Sequence, residues 1–268
     1  MAEPSRADRL SDEQLARFIS IAAEHGTEAF EGQAPPDADT VVAGGPETVA
    51  PAAGETWGKF VIEKALGRGG QAIVCQAFDR LGPAGHVALK IPRRAVPPSR
   101  VESWIQEEAG PLGKLDHPNI VRVVDAGAVD GVPFVATRLI EGLPLSSHAL
   151  RARPSERQVL DWMIQLADAL DYAHRSGVVH RDLKPANVVI AADGRPLIID
   201  FGLSSLISAY QPTHASDTSG TPAFMAPEQA RPGAEIDHRV DIFALGGVLK
   251  CLLDGAGPYG AGQVSRQV

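Results

Sequence analysis

The chain has little cysteine, few aromatic residues and no long apolar run among its 268 residues. Its two cysteines, Cys75 and Cys251, are far apart and lack metal-ligand spacing, which excludes a disulfide framework and indicates a reducing compartment. No basic and then apolar leader opens the chain. The most apolar late segment, 242–253, is interrupted by Lys250 and is too short to span a bilayer. We therefore expect a soluble, cytoplasmic chain with no membrane segment.

Positive charge is scarce as well, because 25 Lys and Arg residues face 33 Asp and Glu residues and the net charge is −8. This acidic balance argues against a general nucleic-acid surface, so we expect no nucleic-acid partner. A hydrophobic fraction of 44% and a charged fraction of 22% are typical of a globular protein. The length allows one large domain, or two lobes, plus an extension.

Two segments precede the main domain. Residues 1–26 have the pattern of one amphipathic helix that ends at Gly26, although a single short helix is marginal in water and a weakly ordered extension is the alternative. Residues 27–56 are rich in Ala, Gly, Pro and acidic residues, which predicts a flexible linker. The folded domain is expected to begin near Trp57.

The clearest chemical signal comes from two charged motifs. Residues 180–187 read His-Arg-Asp-Leu-Lys-Pro-Ala-Asn, and residues 200–202 read Asp-Phe-Gly. The segment between them predicts a short hairpin, which would bring both motifs to the same end. One carboxylate can accept the proton of an attacking hydroxyl, while a cation and a bound metal neutralise a transferring phosphate. The motifs therefore favour phosphoryl transfer.

Both motifs resemble those of protein kinases, and within them the bacterial Ser/Thr kinases of eukaryotic type. The resemblance implies an α+β, two-lobed fold, with an antiparallel N-lobe sheet and a C-helix over 57–140 and a mainly helical C-lobe over 141–268. It implies ATP and Mg²⁺ as cofactors and a protein substrate with a Ser or Thr acceptor. Kinases of this family continue with several more helices, so the C-lobe would be incomplete here. A partner covering it, and a longer natural form with a membrane anchor, stay open.

The resemblance also assigns catalytic roles. It implies that Asp182 is the catalytic base, that Lys184 reaches the γ-phosphate, and that Asn187 and Asp200 hold magnesium. Asp241, at the start of an apolar helix, would bind the backbone of the catalytic loop.

A glycine-rich segment at 66–74 supports an ATP site. A Gly-x-Gly pattern alone is weak, but a dinucleotide-binding loop must open a helix, whereas Ile73 and Val74 favour a strand and so indicate a hairpin tip. In kinases this hairpin covers ATP, with Ala72 here replacing the third glycine. The resemblance implies a nucleotide-binding set of Leu66, Gly67, Gly69, Gly70, Val74, Ala88, Lys90, Thr137, Arg138, Ile140 and Val189. Thr137 would be the gatekeeper, and the backbone of Arg138 and Ile140 would bind adenine.

Lys90 would bind the α- and β-phosphates and needs an anion to orient it. Alignment back from the His-Pro-Asn at 117–119 selects Glu108 rather than Glu107 as that anion. Pro111 lies in the same helix, and an interior proline costs about 3 kcal/mol. We expect a kinked or shortened helix, in which the pair between Lys90 and Glu108 needs help to form. A long helix over 155–176 should follow in the C-lobe.

The polar segment after the second motif resembles an activation segment. Arg181 is a cation that would receive a phosphate placed there. Thr218 is the first candidate to carry this phosphate, followed by Thr213, Ser216 and Ser219. Thr221, in the same segment, matches the family threonine that bonds the catalytic Asp and Lys.

The resemblance leads to one main functional hypothesis and two alternatives. The main one is an active Ser/Thr kinase that also phosphorylates its own activation segment. A catalytically inactive ATP-binding scaffold is the first alternative. ATP-dependent transfer to a small molecule is the second, but the Gly-Thr at 220–221 and the Ala-Pro-Glu at 226–228 are typical of a protein-substrate platform.

Overall fold

The computed structural model describes residues 48, 51–68, 72–201, 224–231 and 233–254. The predicted helix at 1–26, most of the linker, Gly69, Gly70 and the activation-segment candidates Thr213, Ser216, Thr218, Ser219 and Thr221 lie outside these residues. The strands are β1 (Thr56–Trp57), β2 (Phe60–Arg68), β3 (Ala72–Asp79), β4 (His86–Pro92), β5 (Val123–Val129), β6 (Val132–Arg138), β7 (Gly142–Pro144), β8 (Val188–Ala191) and β9 (Pro196–Ile198). The α-helices are α1 (Pro98–Trp104), α2 (Gly110–Gly113), α3 (Leu145–Ala152), α4 (Glu156–Arg175) and α5 (Arg239–Asp254).

The N-terminal lobe is built on a six-stranded antiparallel sheet in the order β1-β2-β3-β4-β6-β5. Alternate residues of each strand point to opposite faces, and one face is closed by a compact apolar core. That core consists of Phe60, Ile62, Ile73, Cys75, Ala77, Val87, Leu89, Ile91, Phe134 and Ala136. The sheet followed by a helical lobe confirms the predicted α+β, two-lobed fold. It also confirms the glycine-rich hairpin, since β2 pairs with β3.

Ordered structure begins earlier than the composition predicted. The N–H of Gly54 donates to the carbonyl of Ile62 at 2.8 Å, and the N–H of Ile62 donates to the carbonyl of Glu55 at 2.9 Å. The Glu55 carboxylate also accepts a hydrogen bond from the N–H of Ala52 at 2.7 Å. Residues 51–56 are therefore fixed by backbone pairing rather than by apolar burial, and they belong to the folded lobe.

A helical segment at 98–113 packs beside the sheet and runs through Pro111 without a break. It consists of α1, a π-helical turn at Ile105–Ala109, and α2, and the backbone dihedrals stay helical at both junctions. We call it the 98–113 helix. Trp104 and Leu112 anchor it in the core that it shares with the C-terminal lobe. Of the two predicted outcomes, a kinked or a shortened helix, the shortening at Pro111 was wrong, because the helix widens before the proline and continues through it. The kink stays a prediction.

The C-terminal lobe is organised around α4. The side chain of Ser155 caps its first turn by accepting a hydrogen bond from the N–H of Gln158. The predicted buried stripe is confirmed and consists of Val159, Trp162, Met163, Leu166, Leu170 and Ala173. Helix α5 packs against α4, and the small sheet β7-β8-β9 lies beside them. Within the described ranges no helix is both long and apolar enough to cross a membrane.

Backbone hydrogen bonds join the two lobes in addition to the covalent connection between β6 and β7, which we call the hinge. The N–H of Val121 donates to the carbonyl of Ile198 at 2.9 Å, and the N–H of Ile198 donates to the carbonyl of Asn119 at 2.8 Å. The Asn119 amide also donates to the carbonyl of Pro196 at 2.8 Å. The loop after the 98–113 helix is thus attached to β9 of the other lobe.

Candidate active site

The catalytic-loop motif is held in place by a fully buried carboxylate. Asp241, in the first turn of α5, has no exposed surface. One of its oxygens accepts the N–H of His180 and the other accepts the N–H of Arg181, both at 2.8 Å. His174 on α4 makes a third contact with this carboxylate, also at 2.8 Å. The predicted role of Asp241 in binding the loop backbone is confirmed.

Two residues on this loop contact the side chain of Asp182. The ammonium of Lys184 donates to both carboxylate oxygens at 2.9 and 3.0 Å. The amide of Asn187 donates to Oδ2 at 3.1 Å and to the backbone carbonyl of Asp182 at 2.7 Å. Burial raises the pKa of the Asp182 carboxyl, but Lys184, with help from His180 and Lys90, outweighs burial and lowers that pKa below its ordinary value. The Asp182 side chain is therefore ionised at neutral pH.

Asp200 stands at the end of β9 in a strained backbone conformation. Its φ is +69°, and that of Arg181 is +66°, a left-handed region that costs a non-glycine residue about 1–2 kcal/mol. The neighbouring Phe201 is 2% exposed and packs edge-on against the His180 ring at 4.6 Å between centroids. The His180 ring also contacts the carbonyl of Ile199 at 2.9 Å. These contacts hold the two motifs together despite the strain.

Lys90 reaches this cluster from β4. Its ammonium forms an ion pair with Asp200 at 3.1 Å, and its charge also lowers the pKa of Asp182. Glu108 lies elsewhere: it pairs with Arg100 at 3.2 Å and faces Arg181 at 4.0 Å. Lys90 thus pairs with Asp200 of the Asp-Phe-Gly motif rather than with Glu108 on the 98–113 helix.

The shape of the 98–113 helix explains where Glu108 points. An α-helix turns about 100° per residue, so a side chain eight residues further along the chain points about 80° away from the first one. A π-helical turn contains about one extra residue, so eight residues that include it rotate like about seven α-helical residues. The two side chains then point in directions that differ by only about 20°. The turn at Ile105–Ala109 therefore places Glu108 on the face of Arg100, eight residues earlier. Pro111 causes the widening, because it has no N–H for the carbonyl at 107 and its ring would crowd that carbonyl.

Replacing Pro111 with alanine should restore an ordinary α-helix and stabilise the protein. We expect the free energy of unfolding to rise by roughly 2 kcal/mol, which is the helix penalty of proline, about 3 kcal/mol, less up to about 1 kcal/mol for its effect on the unfolded chain. Urea denaturation measures this change. The matched control is Pro98→Ala at the first position of α1, where proline is tolerated and little should change. Equal stability of Pro111→Ala and the parent would show that the proline is not the source of the π turn.

The nucleotide-binding candidates on the strands share one face of the sheet. Val74 lies opposite Lys90, and Ala88 lies opposite Thr137. Directly paired residues point to the same face, and Ala88 and Lys90 are two residues apart on β4, so all four line the face away from the N-lobe core. Leu66, at the end of β2, is 46% exposed. Val189 on β8 is half-buried.

Arg138 and Ile140, whose backbone groups are predicted to bind adenine, lie at the end of β6 and just after it. The N–H of Arg138 donates to the carbonyl of Arg122 at 3.0 Å, so this donor is already bonded within the protein. Ile140 follows in an irregular stretch between β6 and β7. Gly67 pairs with Val74 near the hairpin tip.

Three residues near the site were not singled out from the sequence. They are His174, which contacts Asp241, Arg100, which binds Glu108, and Gln229, whose amide donates to the carbonyl of Arg181 at 2.8 Å. Only Gln229 had a signal that pointed to it, because it directly follows the Ala-Pro-Glu at 226–228.

Comparison with known proteins agrees with this geometry. The family model of the protein kinase domain matches residues 60–268. Serine/threonine-protein kinase PknE of Mycobacterium tuberculosis is 34% identical over 214 residues, covering 79% of this chain and 38% of that protein. PknH of Mycobacterium bovis is 36% identical over 210 residues, covering 78% and 35%. The chain therefore matches just over a third of the length of these curated relatives.

A solved structure shares the fold. The crystal structure of the Mycobacterium tuberculosis PknI kinase domain matches with a TM-score of 0.63 and 31% identity, over 79% of this chain and 80% of that one. Sequence, fold and site geometry agree, and the chain belongs to the protein kinase family, among the bacterial Ser/Thr kinases.

Proposed function

We propose that this chain transfers the γ-phosphoryl group of Mg-ATP to serine and threonine hydroxyls of proteins, and that it phosphorylates its own activation segment. The observation that carries the proposal is the electrostatic cluster of Lys90, Asp182 and Asp200, drawn from three separate elements. In this cluster Asp182 accepts the proton of the attacking hydroxyl. Lys184 neutralises charge on the phosphoryl group, and Lys90 orients the nucleotide.

The donor set at the site fits Mg²⁺. This ion is usually held by one or two carboxylates together with substrate phosphates, rather than by a cage of protein ligands. Asp200 offers a carboxylate, and Asn187 has its amide nitrogen committed to Asp182, which leaves its amide oxygen as the atom for a metal. When bound, the ion supplies charge neutralisation at the phosphates. Lys90 would then exchange Asp200 for the nucleotide phosphates.

We place the activity in the cytoplasm. Cys75 and Cys251 are both free and buried, and burial raises the pKa of both thiols, which makes them unreactive core residues. Free cysteines and a need for ATP suit a reducing compartment.

The test is transfer of label from γ-labelled ATP to casein and to the chain itself. We expect acid-stable label on serine and threonine with MgCl₂ present, and background label when EDTA is in excess over magnesium. As a control, Glu107→Gln removes a charge at an exposed position next to Glu108 on the chain, and it should label like the parent. Label that is independent of magnesium, or that appears only on small molecules, would contradict the proposal.

A second candidate function is that of an ATP-binding scaffold without catalysis. The pairing of Glu108 with Arg100 favours it, because Lys90 is then paired with Asp200 rather than with the glutamate that was predicted to orient it. Thermal stabilisation by nucleotide without any transfer of label would select this function over the first.

A further inference from the structure

The side chain of Gln229 links two parts of the site that are distant in sequence. It belongs to the 3-10 turn at Pro227–Ala230, the first described element after residues 202–223. Its Nε2 donates to the backbone carbonyl of Arg181 at 2.8 Å, across 48 residues, and its Oε1 accepts the N–H of Ala226 at 3.0 Å. An N–H can only donate and a carbonyl can only accept, so these two partners fix which way the amide points.

The peptide that Gln229 binds is the one directly before Asp182. Arg181 has φ of +66°, and its N–H is held by Asp241 at 2.8 Å. The N–H of Asp182 contacts the ring nitrogen Nδ1 of His180 at 3.2 Å. The bond from Gln229 to the carbonyl of Arg181 therefore fixes the other end of this strained peptide. Backbone in this region persists only where surrounding contacts determine it.

We propose that Gln229 is a positioning residue that sets the direction of the Asp182 carboxylate and couples it to the end of the activation segment. When the turn at Pro227–Ala230 is in place, the Arg181 carbonyl is bound and Asp182 points at Lys184 and Asn187. When the turn moves, the carbonyl loses its donor and the left-handed peptide can relax. The base is then out of line with the acceptor hydroxyl. This role rests on the proposed kinase activity.

Two variants separate the donor from the acceptor function of the Gln229 amide. Gln229→Glu keeps an oxygen for the N–H of Ala226 but, when ionised, presents a carboxylate to the Arg181 carbonyl. Gln229→Met keeps the length and loses both bonds. The control is Gln158→Glu, which adds the same charge at an exposed position on α4.

The expected result is a split between rate and binding. Loss of the hydrogen bond to the Arg181 carbonyl should lower kcat about fivefold to tenfold in Gln229→Met, with KM for ATP unchanged. Gln229→Glu should lose more at pH 8 and recover toward pH 5, because its protonated carboxyl can donate again. The ratio to the parent rate should stay flat with pH for Gln229→Met and for the control. A kcat like that of the parent in both variants, or an equal change in KM, would overturn the role.

Hydrogen exchange tests the contact between Gln229 and the catalytic loop without any need for activity. Amides of residues 180–183, followed by mass spectrometry, should exchange faster in both Gln229 variants than in Gln158→Glu. An inactive parent with faster exchange in the variants would defeat the proposed kinase function but not the positioning contact. Unchanged exchange would overturn the contact even in an active enzyme.

Discussion

Asp182→Asn should lower the rate of phosphoryl transfer by about 10²–10⁴-fold, the range that a positioned general base contributes. The amide cannot accept the proton of the attacking hydroxyl. It also loses the charge that attracts Lys184, whose ammonium contacts both oxygens in the parent. Nucleotide affinity should change little, because Lys90, which we propose orients ATP, lies on a different element. Initial rates with labelled ATP and the nucleotide Kd measure the two effects separately.

The control for this variant is Asp193→Asn. Asp193 lies in the turn between β8 and β9, is exposed, and pairs only with Arg195 among the residues that the structure describes. The same chemical change there should leave the rate unaltered. If Asp182→Asn retained the parent rate, Asp182 could not be the base.

The pH dependence of the parent follows from the same contacts. The folded protein favours ionised Asp182, since its pKa lies below the ordinary value of 3.8. Its contribution to stability is thus present above about pH 4 and disappears as the pH falls through the lower folded pKa. A loss of rate between pH 7 and pH 5 would have to come from another group.

Asp241→Ala should be the most destabilising single change at the site. It removes the acceptor of two backbone N–H groups, one buried and one partly buried, and of His174. Each buried donor left without a partner costs about 1–3 kcal/mol, so we expect a loss of at least 3 kcal/mol from a total of about 5–15. Phosphoryl transfer should disappear together with the order of the catalytic loop. Urea denaturation followed by fluorescence measures the stability.

Asp241→Asn keeps this prediction testable if the alanine variant does not fold. The amide has the same shape as the carboxylate and keeps one acceptor oxygen. We therefore expect a folded protein that shows a smaller loss of stability than Asp241→Ala. The control is Asp254→Ala at the other end of α5, which breaks an exposed pair with Lys250 and should cost only a few tenths of a kcal/mol. Equal stability of Asp241→Ala and Asp254→Ala would contradict the buried role.

Local signals in the sequence predicted most of the fold. The stripe on α4 and the hairpin of β8 and β9 depend on neighbours a few residues away, which periodicity and turn residues report directly. The catalytic-loop motif was equally visible, because its side chains act on one another across five residues at most, as Asn187 does on Asp182.

The remaining features depend on contacts that no local pattern contains. Gln229 reaches a carbonyl 48 residues away, and residues 51–56 are held by backbone bonds that do not depend on composition. The outcome at Pro111 was missed for another reason. The rule that proline breaks a helix does not include the alternative of a wider turn, and this alternative decides which partner Glu108 meets.

Residues 119–121 are bonded to β9, so the C-terminal end of the 98–113 helix is held and a tilt of this helix displaces mainly its N-terminal end. With a rise of about 1.5 Å per residue, Pro98 lies about 22 Å from the end at Gly113, while Glu108 lies about 7.5 Å from it. A swing that displaced the start of the helix by 6 Å would therefore move Glu108 by roughly 2 Å. A different partner for Glu108 would therefore require rotation about the helix axis, which is the motion that loss of the π turn in Pro111→Ala would produce.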